Sequence, residues 1–223
     1  MPEAATRDAP LGEEDRLRAD LYDFLGALLA RPAGETLLAQ TAGLRGDDAT
    51  ELGRAVRALS GLAAKADPAA VEHEFTQLFI GLGRGELLPY ASYYLTGFLN
   101  EKPLAALRRD MAARGVTRAE TVYEPEDNIA SCMEMMGGLI RGRFGAPAPL
   151  GDQQTFFNRH IAPWARHFFA DLEGARNAVL YASVGAVGRV FMEIEVQGFR
   201  LTAGQSRDAT GGGQPATTRG GNH

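Results

Sequence analysis

The run Asp67-Pro68-Ala69-Ala70-Val71-Glu72-His73-Glu74-Phe75-Thr76-Gln77-Leu78-Phe79 leads into Gly81-Leu82-Gly83-Arg84-Gly85 and then Pro89-Tyr90-Ala91-Ser92-Tyr93-Tyr94. An aspartate ahead of a proline is a strong helix start, because the carboxylate accepts from free N–H groups and the proline needs none of its own. Behind it Val71, Phe75, Leu78 and Phe79 form one apolar stripe, and Gly81 ends the helix. Aromatic rings beside a helix break, with the acidic run Glu124-Pro125-Glu126-Asp127-Asn128 further on, suggest a groove for a peptide rather than a reaction centre.

Helical spacing continues on both sides of this stretch. Leu17, Leu21, Phe24/Leu25 and Leu28/Leu29 predict a helix from Asp15 that Pro32 ends. Thr36 to Leu44 is a weaker helix, and Asp47/Asp48 with Glu51 predicts a capped one carrying Leu52, Val56 and Leu59. Pro103 opens a helix with Leu104, Leu107 and Met111 inward and Gly115 at its end. Pro125 is expected to open the next, with Ile129, Met133, Met136 and Ile140 on one face. Residues 141–151 hold three glycines and two prolines and read as a loop and candidate hinge. Asp152 caps a segment carrying Phe156, Phe157, Ile161, Trp164 and Phe168, which Pro163 should kink or split. From Asn177 to Gln197, Leu180, Val184, Val187, Phe191 and Ile194 share a face.

Alternating strand patterns are nearly absent, so the expectation is all-α. A single compact helical domain spans 12–201, between a loose terminus at 1–11 and a disordered Gly/Thr/Ser-rich tail at 202–223. The 223 residues are 45% hydrophobic and 23% charged, as in ordinary globular proteins. A net charge of -5 favours neither nucleic acid nor an anionic membrane. There is one cysteine, no run long enough to span a membrane and no basic n-region of a secretory signal, so the expected location is the cytoplasm.

No catalytic or metal motif is complete. His73-Glu74 starts a zinc-protease pattern, but Gln77 stands where the second histidine belongs. The Gly81–Gly85 loop leaves a helix rather than a strand and lacks a Gly-Lys-Ser/Thr end, so a flexible connector outweighs a phosphate cradle. Glu124, Glu126 and Asp127 fit three readings: acid/base carboxylates, acidic residues drawn to a helix N-terminus, or an anchor for arginines on a ligand. Cys132 and the methionines at 133, 135 and 136 read as packing, although Met-rich faces also suit variable apolar ligands.

Taken together, four elements resemble the TorD/DmsD/NarJ family of redox-enzyme maturation chaperones, and its TorD/DmsD branch in particular. They are Glu74 to Gly81, then Leu88-Pro89-Tyr90-Ala91-Ser92-Tyr93-Tyr94, then Glu124-Pro125-Glu126-Asp127-Asn128-Ile129, and last Phe157-Asn158-Arg159-His160-Ile161-Ala162-Pro163-Trp164. The resemblance implies a TorD-like all-helical fold and a cytoplasmic protein that is not an enzyme and carries no cofactor. Such a protein binds the twin-arginine leader and apo-subunit of a molybdopterin-dependent oxidoreductase, assists cofactor insertion and delays export. Carried onto this chain, the peptide-binding positions are Phe75, Leu78, Phe79, Pro89, Tyr90, Ser92, Tyr94, Glu124, Asp127 and Asn128. Asn128 replaces the family's histidine and cannot become charged. Two rival readings stand beside this one. The first is a small enzyme using Glu124 and Asp127 with His160. The second is weak binding of GTP or molybdopterin guanine dinucleotide at the glycine loop.

Overall fold

The computed structural model describes residues 11–116 and 124–210, with side chains to residue 202. Ten α-helices follow in order: α1 (Glu13–Ala30), α2 (Glu35–Ala42), α3 (Glu51–Ala63), α4 (Pro68–Phe75), α5 (Ala91–Thr96), α6 (Lys102–Ala113), α7 (Ile129–Arg141), α8 (Leu150–Phe156), α9 (Ala165–Glu173) and α10 (Leu180–Thr210). Wider π turns, Thr76–Ile80 and Phe157–Ile161, extend α4 and α8. Among the described residues there is no strand, and the all-α expectation holds. No helix there is long and apolar enough to cross a membrane.

Most packing is between α1 and α7, between α10 and α9, and between α10 and α3. The α7 stripe buries Ile129, Met133, Met136 and Ile140 as its spacing required, together with Cys132. Burial pushes the Cys132 thiol far above its ordinary pKa, which leaves it inert. Gly185 and Gly188 let α10 lie directly on α9: a Cβ at Gly185 would stand 2.8 Å from the Phe169 carbonyl oxygen, and one at Gly188 would enter the Phe169 ring. Across the helices, Arg18 of α1 grips Glu195 of α10 through two bonds of 2.7 and 2.9 Å, and the buried Tyr22 hydroxyl donates to the same carboxylate at 2.9 Å.

Several boundaries differ from the sequence expectation. Asp67 caps α4 as predicted, accepting from Ala70 N at 3.1 Å. The cap of α3 is Thr50, whose hydroxyl accepts from Gly53 N; Asp47 instead holds Thr50 N at 2.8 Å. Pro125 does not open α7. Residues 125–127 form a turn and Asn128 is the N-cap, its Oδ1 accepting from Ala130 N at 2.9 Å. Likewise α8 starts at Leu150, with Asp152 inside its first turn rather than at its cap. Pro163 does split the following segment, between the π turn and α9. Finally, α10 runs on to Thr210, past the expected start of the tail at Thr202, because Ala203, Gln205 and Arg207 are compatible with helix. The remaining tail residues and those before Leu11 lie outside the described part.

The start of α10 is capped from far along the chain. The first N–H groups of α10 point at Glu74 of α4, whose buried carboxylate accepts from Val179 N at 2.7 Å, Leu180 N at 3.2 Å and Tyr181 N at 2.8 Å. A charged acceptor at a helix N-terminus satisfies both the orphan donors and the dipole. Replacing Glu74 by Ala should therefore cost about 3 kcal/mol, and Gln a smaller part of that. Urea unfolding measures it, and a loss below about 1 kcal/mol would mean that other contacts hold this helix start.

Candidate functional site

The motif residues meet where the Pro89–Tyr94 segment crosses the start of α7. Tyr90 and Asn128 form an isolated antiparallel bridge; Ile129 N donates to Pro89 O at 2.8 Å and Ala91 N to Asp127 O at 2.9 Å. The side chain of Asp127 completes the joint, its Oδ2 accepting from Ser92 N at 2.8 Å. Ser92 Oγ in turn accepts from Glu101 N at 3.2 Å, ahead of α6. Both side chains are buried, and Asp127 is only 1% exposed. Yet Asp127 Oδ1, sealed from solvent, has no donor from the protein. Tyr90 extends outward, and its hydroxyl donates to the exposed Glu124 carboxylate. Burial and that acidic neighbour hold the Tyr90 hydroxyl protonated well above its ordinary range.

Beside this joint lies an aromatic cluster. Phe79 packs edge-on against Phe75 at 4.8 Å and Tyr181 at 5.8 Å, and Tyr94 stacks near Trp164 at 5.5 Å and Phe168 at 6.0 Å. The Tyr94 hydroxyl donates to Asp171 at 2.8 Å. Phe75 and Leu78 are buried, Phe79 and Tyr94 half-buried. This face of α4 is thus mainly core, with only the edges of two rings reaching the surface.

The glycine loop is folded back on the π turn. Gly81 N donates to Thr76 O at 2.7 Å, Glu86 N to Gln77 O at 3.1 Å and Leu87 N to Leu78 O at 2.8 Å. Gly81 has φ of +63°, and a Cβ at Gly85 would stand 2.6 Å from Leu78 O. Tight backbone approach explains these two glycines, so a flexible connector is the wrong description. Glu86 then caps the turn before α10, accepting from Arg176 N at 2.8 Å and Asn177 Nδ2 at 2.7 Å. Within the loop Gly81 N is taken by Thr76 O, and the bonds of Glu86 N and Leu87 N tie the loop's exit back to the π turn.

Sequence reasoning missed a cavity of about 330 Å³ between α5, α6 and the second π turn. Its walls are largely apolar, from Ala91, Leu95, Pro103, Ala106 and Leu107, and Asp127 lines it together with Lys102, Arg159 and His160. His160 Nε2 lies 2.7 Å from Asp110 Oδ2, and Arg159 pairs with the same carboxylate at 2.9 Å. The His160 carbonyl accepts from Trp164 Nε1 at 2.8 Å. Of the candidate acid/base trio, Glu124 is tied to Tyr90, Asp127 to Ser92 and His160 to Asp110. No signal in one sequence joins α6 to residue 160, because fifty positions separate Asp110 from its partner. Among the described residues, no group of three or more His, Cys, Asp or Glu side chains could hold a metal.

Residues 45–170 match the family model described as nitrate reductase delta subunit. The chain belongs to that family. Chaperone protein TorD of Vibrio cholerae is 28% identical over 170 residues, which is 68% of this chain and 77% of that protein. Chaperone protein TorD of Vibrio atlanticus is 27% identical over 132 residues, 56% of this chain and 61% of the relative's own length. A solved structure of a candidate redox enzyme maturation protein from Archaeoglobus fulgidus covers 86% of this chain and 99% of its own, with a TM-score of 0.50 and 18% identity, and shares the fold. The two curated relatives named here are described as chaperones rather than as catalysts. The stretch of this chain that matches the family model contains all four motif elements.

Burial holds His160 below its ordinary pKa, against the smaller opposing pull of Asp110. A histidine depressed in the folded state contributes stability that is complete above the unfolded value near 6.5 and is lost as pH falls through the folded value. Stability should therefore decline on acidification below about pH 6.5 more steeply in the wild type than in His160→Gln. Urea midpoints across that range test this, and parallel curves for the two proteins would exclude His160 as the source.

Proposed function

We propose that the protein is a cytoplasmic maturation chaperone for a molybdenum-containing oxidoreductase. It binds the client's twin-arginine leader and apo-subunit, supports molybdopterin insertion and delays export. The observation that carries this reading is Asp127 Oδ1, a buried carboxylate oxygen with no protein donor on a residue that lines an apolar cavity. Leaving such an oxygen unpaired is costly, and a guanidinium that reached it by parting the cavity wall would relieve that cost. Apolar walls alongside suit the hydrophobic run that follows the arginines in such a leader. The exposed Glu124 carboxylate, held by Tyr90, offers a second anchor at the surface. Pro89, Ser92, Leu78 and Asn128 support this reading as the frame that positions these groups, while Phe75, Phe79 and Tyr94 form the adjoining wall.

The magnitudes suit a chaperone that must release its client. Two aliphatic side chains at about 1.5–3 kcal/mol each and two charge-assisted hydrogen bonds of similar size give a gross gain on the order of 10 kcal/mol. Association and ordering take back about 4 kcal/mol or more, so a leader alone should bind in the micromolar range or weaker. The family relationship supports the chaperone role, and the orphan oxygen supports the basic ligand.

Calorimetric titration with synthetic leaders tests it. A twin-arginine leader should bind saturably, and its twin-lysine form more weakly. Asp127→Asn keeps an oxygen for Ser92 N but turns the orphan acceptor into a donor or a neutral group, so it should weaken the arginine leader about tenfold while changing stability by less than about 1 kcal/mol. Unchanged affinity in both Asp127→Asn and Tyr90→Ala would remove this surface from the binding site.

A further inference from the structure

On the opposite chain segments, α1, α8 and α10 enclose a second groove of about 610 Å³. Its walls include three aliphatic side chains left largely in water: Leu17 at 62%, Leu150 at 41% and Ile194 at 46% exposure. Each comes from a different helix. The apolar stripe of α10 is buried at Leu180, Val184, Val187 and Phe191, but Ile194 finds no cover. Beyond it Gly198 leaves open space at the groove wall, and Leu201 on the same helix is 70% exposed. Ile194 and Leu201 thus stand on the open face of α10, while Phe199 on another face of the same turn region is 3% exposed.

Acidic residues of the first turn of α1, Glu13, Glu14 and Asp15, stand at one end of the groove. An acidic first turn by itself only suits the helix dipole. The cation beside it is already taken: Arg18 binds Glu195, Asp15 at 2.8 Å and Gln153 at 3.1 Å, and lies over the Phe199 ring. No side chain among the described residues pairs with Glu13 or Glu14, while the groove beside them is apolar.

From this combination we infer that the groove is a second docking surface for the client, taking an amphipathic helix with basic residues in one turn and aliphatic residues at i, i+3 and i+7 behind it. The inference rests on the chaperone reading for the identity of the partner, but not on where the leader binds. The basic turn meets Glu13 and Glu14, and the aliphatic face fills the space between Leu17, Leu150 and Ile194, as helices fill grooves elsewhere. A second copy of this chain is a poorer fit, since each copy carries a net charge of -5 and an acidic rim. Two modest contacts on one flexible client raise overall affinity without making either one hard to release.

Fluorescence anisotropy with the full chain tests this directly. The probe is a labelled alanine-based helical peptide with two lysines in its first turn, which the Asp127 site is expected to bind poorly, and leucines at i, i+3 and i+7; the control has glutamates in place of the lysines. Saturable binding of the basic probe, at least tenfold tighter than the control, is expected at low salt. Glu13→Lys/Glu14→Lys should weaken it about tenfold, and Leu17→Ser/Ile194→Ser by about tenfold or more. All four positions lie at the surface, so circular dichroism and thermal midpoints should stay those of the wild type. Leader titrations on the same groove variants should stay within about twofold of wild type, which separates failure here from failure at Asp127. Equal binding of both probes, or unchanged binding in the Leu17/Ile194 variant, overturns the inference. So does a groove variant that dissociates a dimer in sedimentation, because a second copy would then be the occupant.

Discussion

Carboxylates that accept from backbone N–H groups of distant segments, two of them buried, are the constraint on which this fold depends. A helix start leaves donors unpaired, and burying them without an acceptor is expensive. Here the acceptors come from elsewhere in the chain. Glu74 reaches more than a hundred residues forward to the start of α10. Asp127 reaches back to Ser92, and Glu86 forward to the turn before α10. Each of these bonds forms only when two remote segments are in register. Together they fix α4, the Pro89–Tyr94 segment, α7 and α10 as one frame.

That frame explains why motif residues have mixed roles. Ser92 and Pro89 are buried and hold backbone, and Asn128 is the cap of α7. An N-cap needs a short side chain with an oxygen, which asparagine supplies without any charge. Asp127 does two jobs at once: one oxygen locks the joint while the other remains unpaired beside the cavity. A carboxylate fixed in this way is preorganised for a donor, because its orientation is settled before any ligand arrives. The aromatic wall is fixed as well, since Tyr94 is held both by ring packing and by Asp171.

The two grooves differ in how they are made. The cavity at Asp127 is lined by groups that the protein's own bonds already orient, His160 and Arg159 through Asp110 among them. The groove of α1, α8 and α10 is larger, with aliphatic walls, an acidic end and the Arg18–Glu195 pair in its lining. The first suits selective recognition of a charge, and the second suits a less specific amphipathic surface.

The sequence by itself determined the class of fold, most helix positions and the family. Stripes such as Ile129-Met133-Met136-Ile140, and punctuation such as Asp67-Pro68 and Pro163, act within one or two turns and can be read without tertiary contacts. It also picked out the motif residues, but not what each one does. Ile194 reads like its buried neighbours in α10 yet is exposed, and Phe75 and Leu78 read as groove yet are core. Pro125 looked like a helix start, but the turn and the Asn128 cap moved that start to Ile129. Caps taken from far along the chain, the Asp110–His160 contact and the unpaired oxygen of Asp127 were decided only by the tertiary structure. Local pattern shows which face of a helix is apolar; only three-dimensional packing shows what covers that face and which polar atoms are left over.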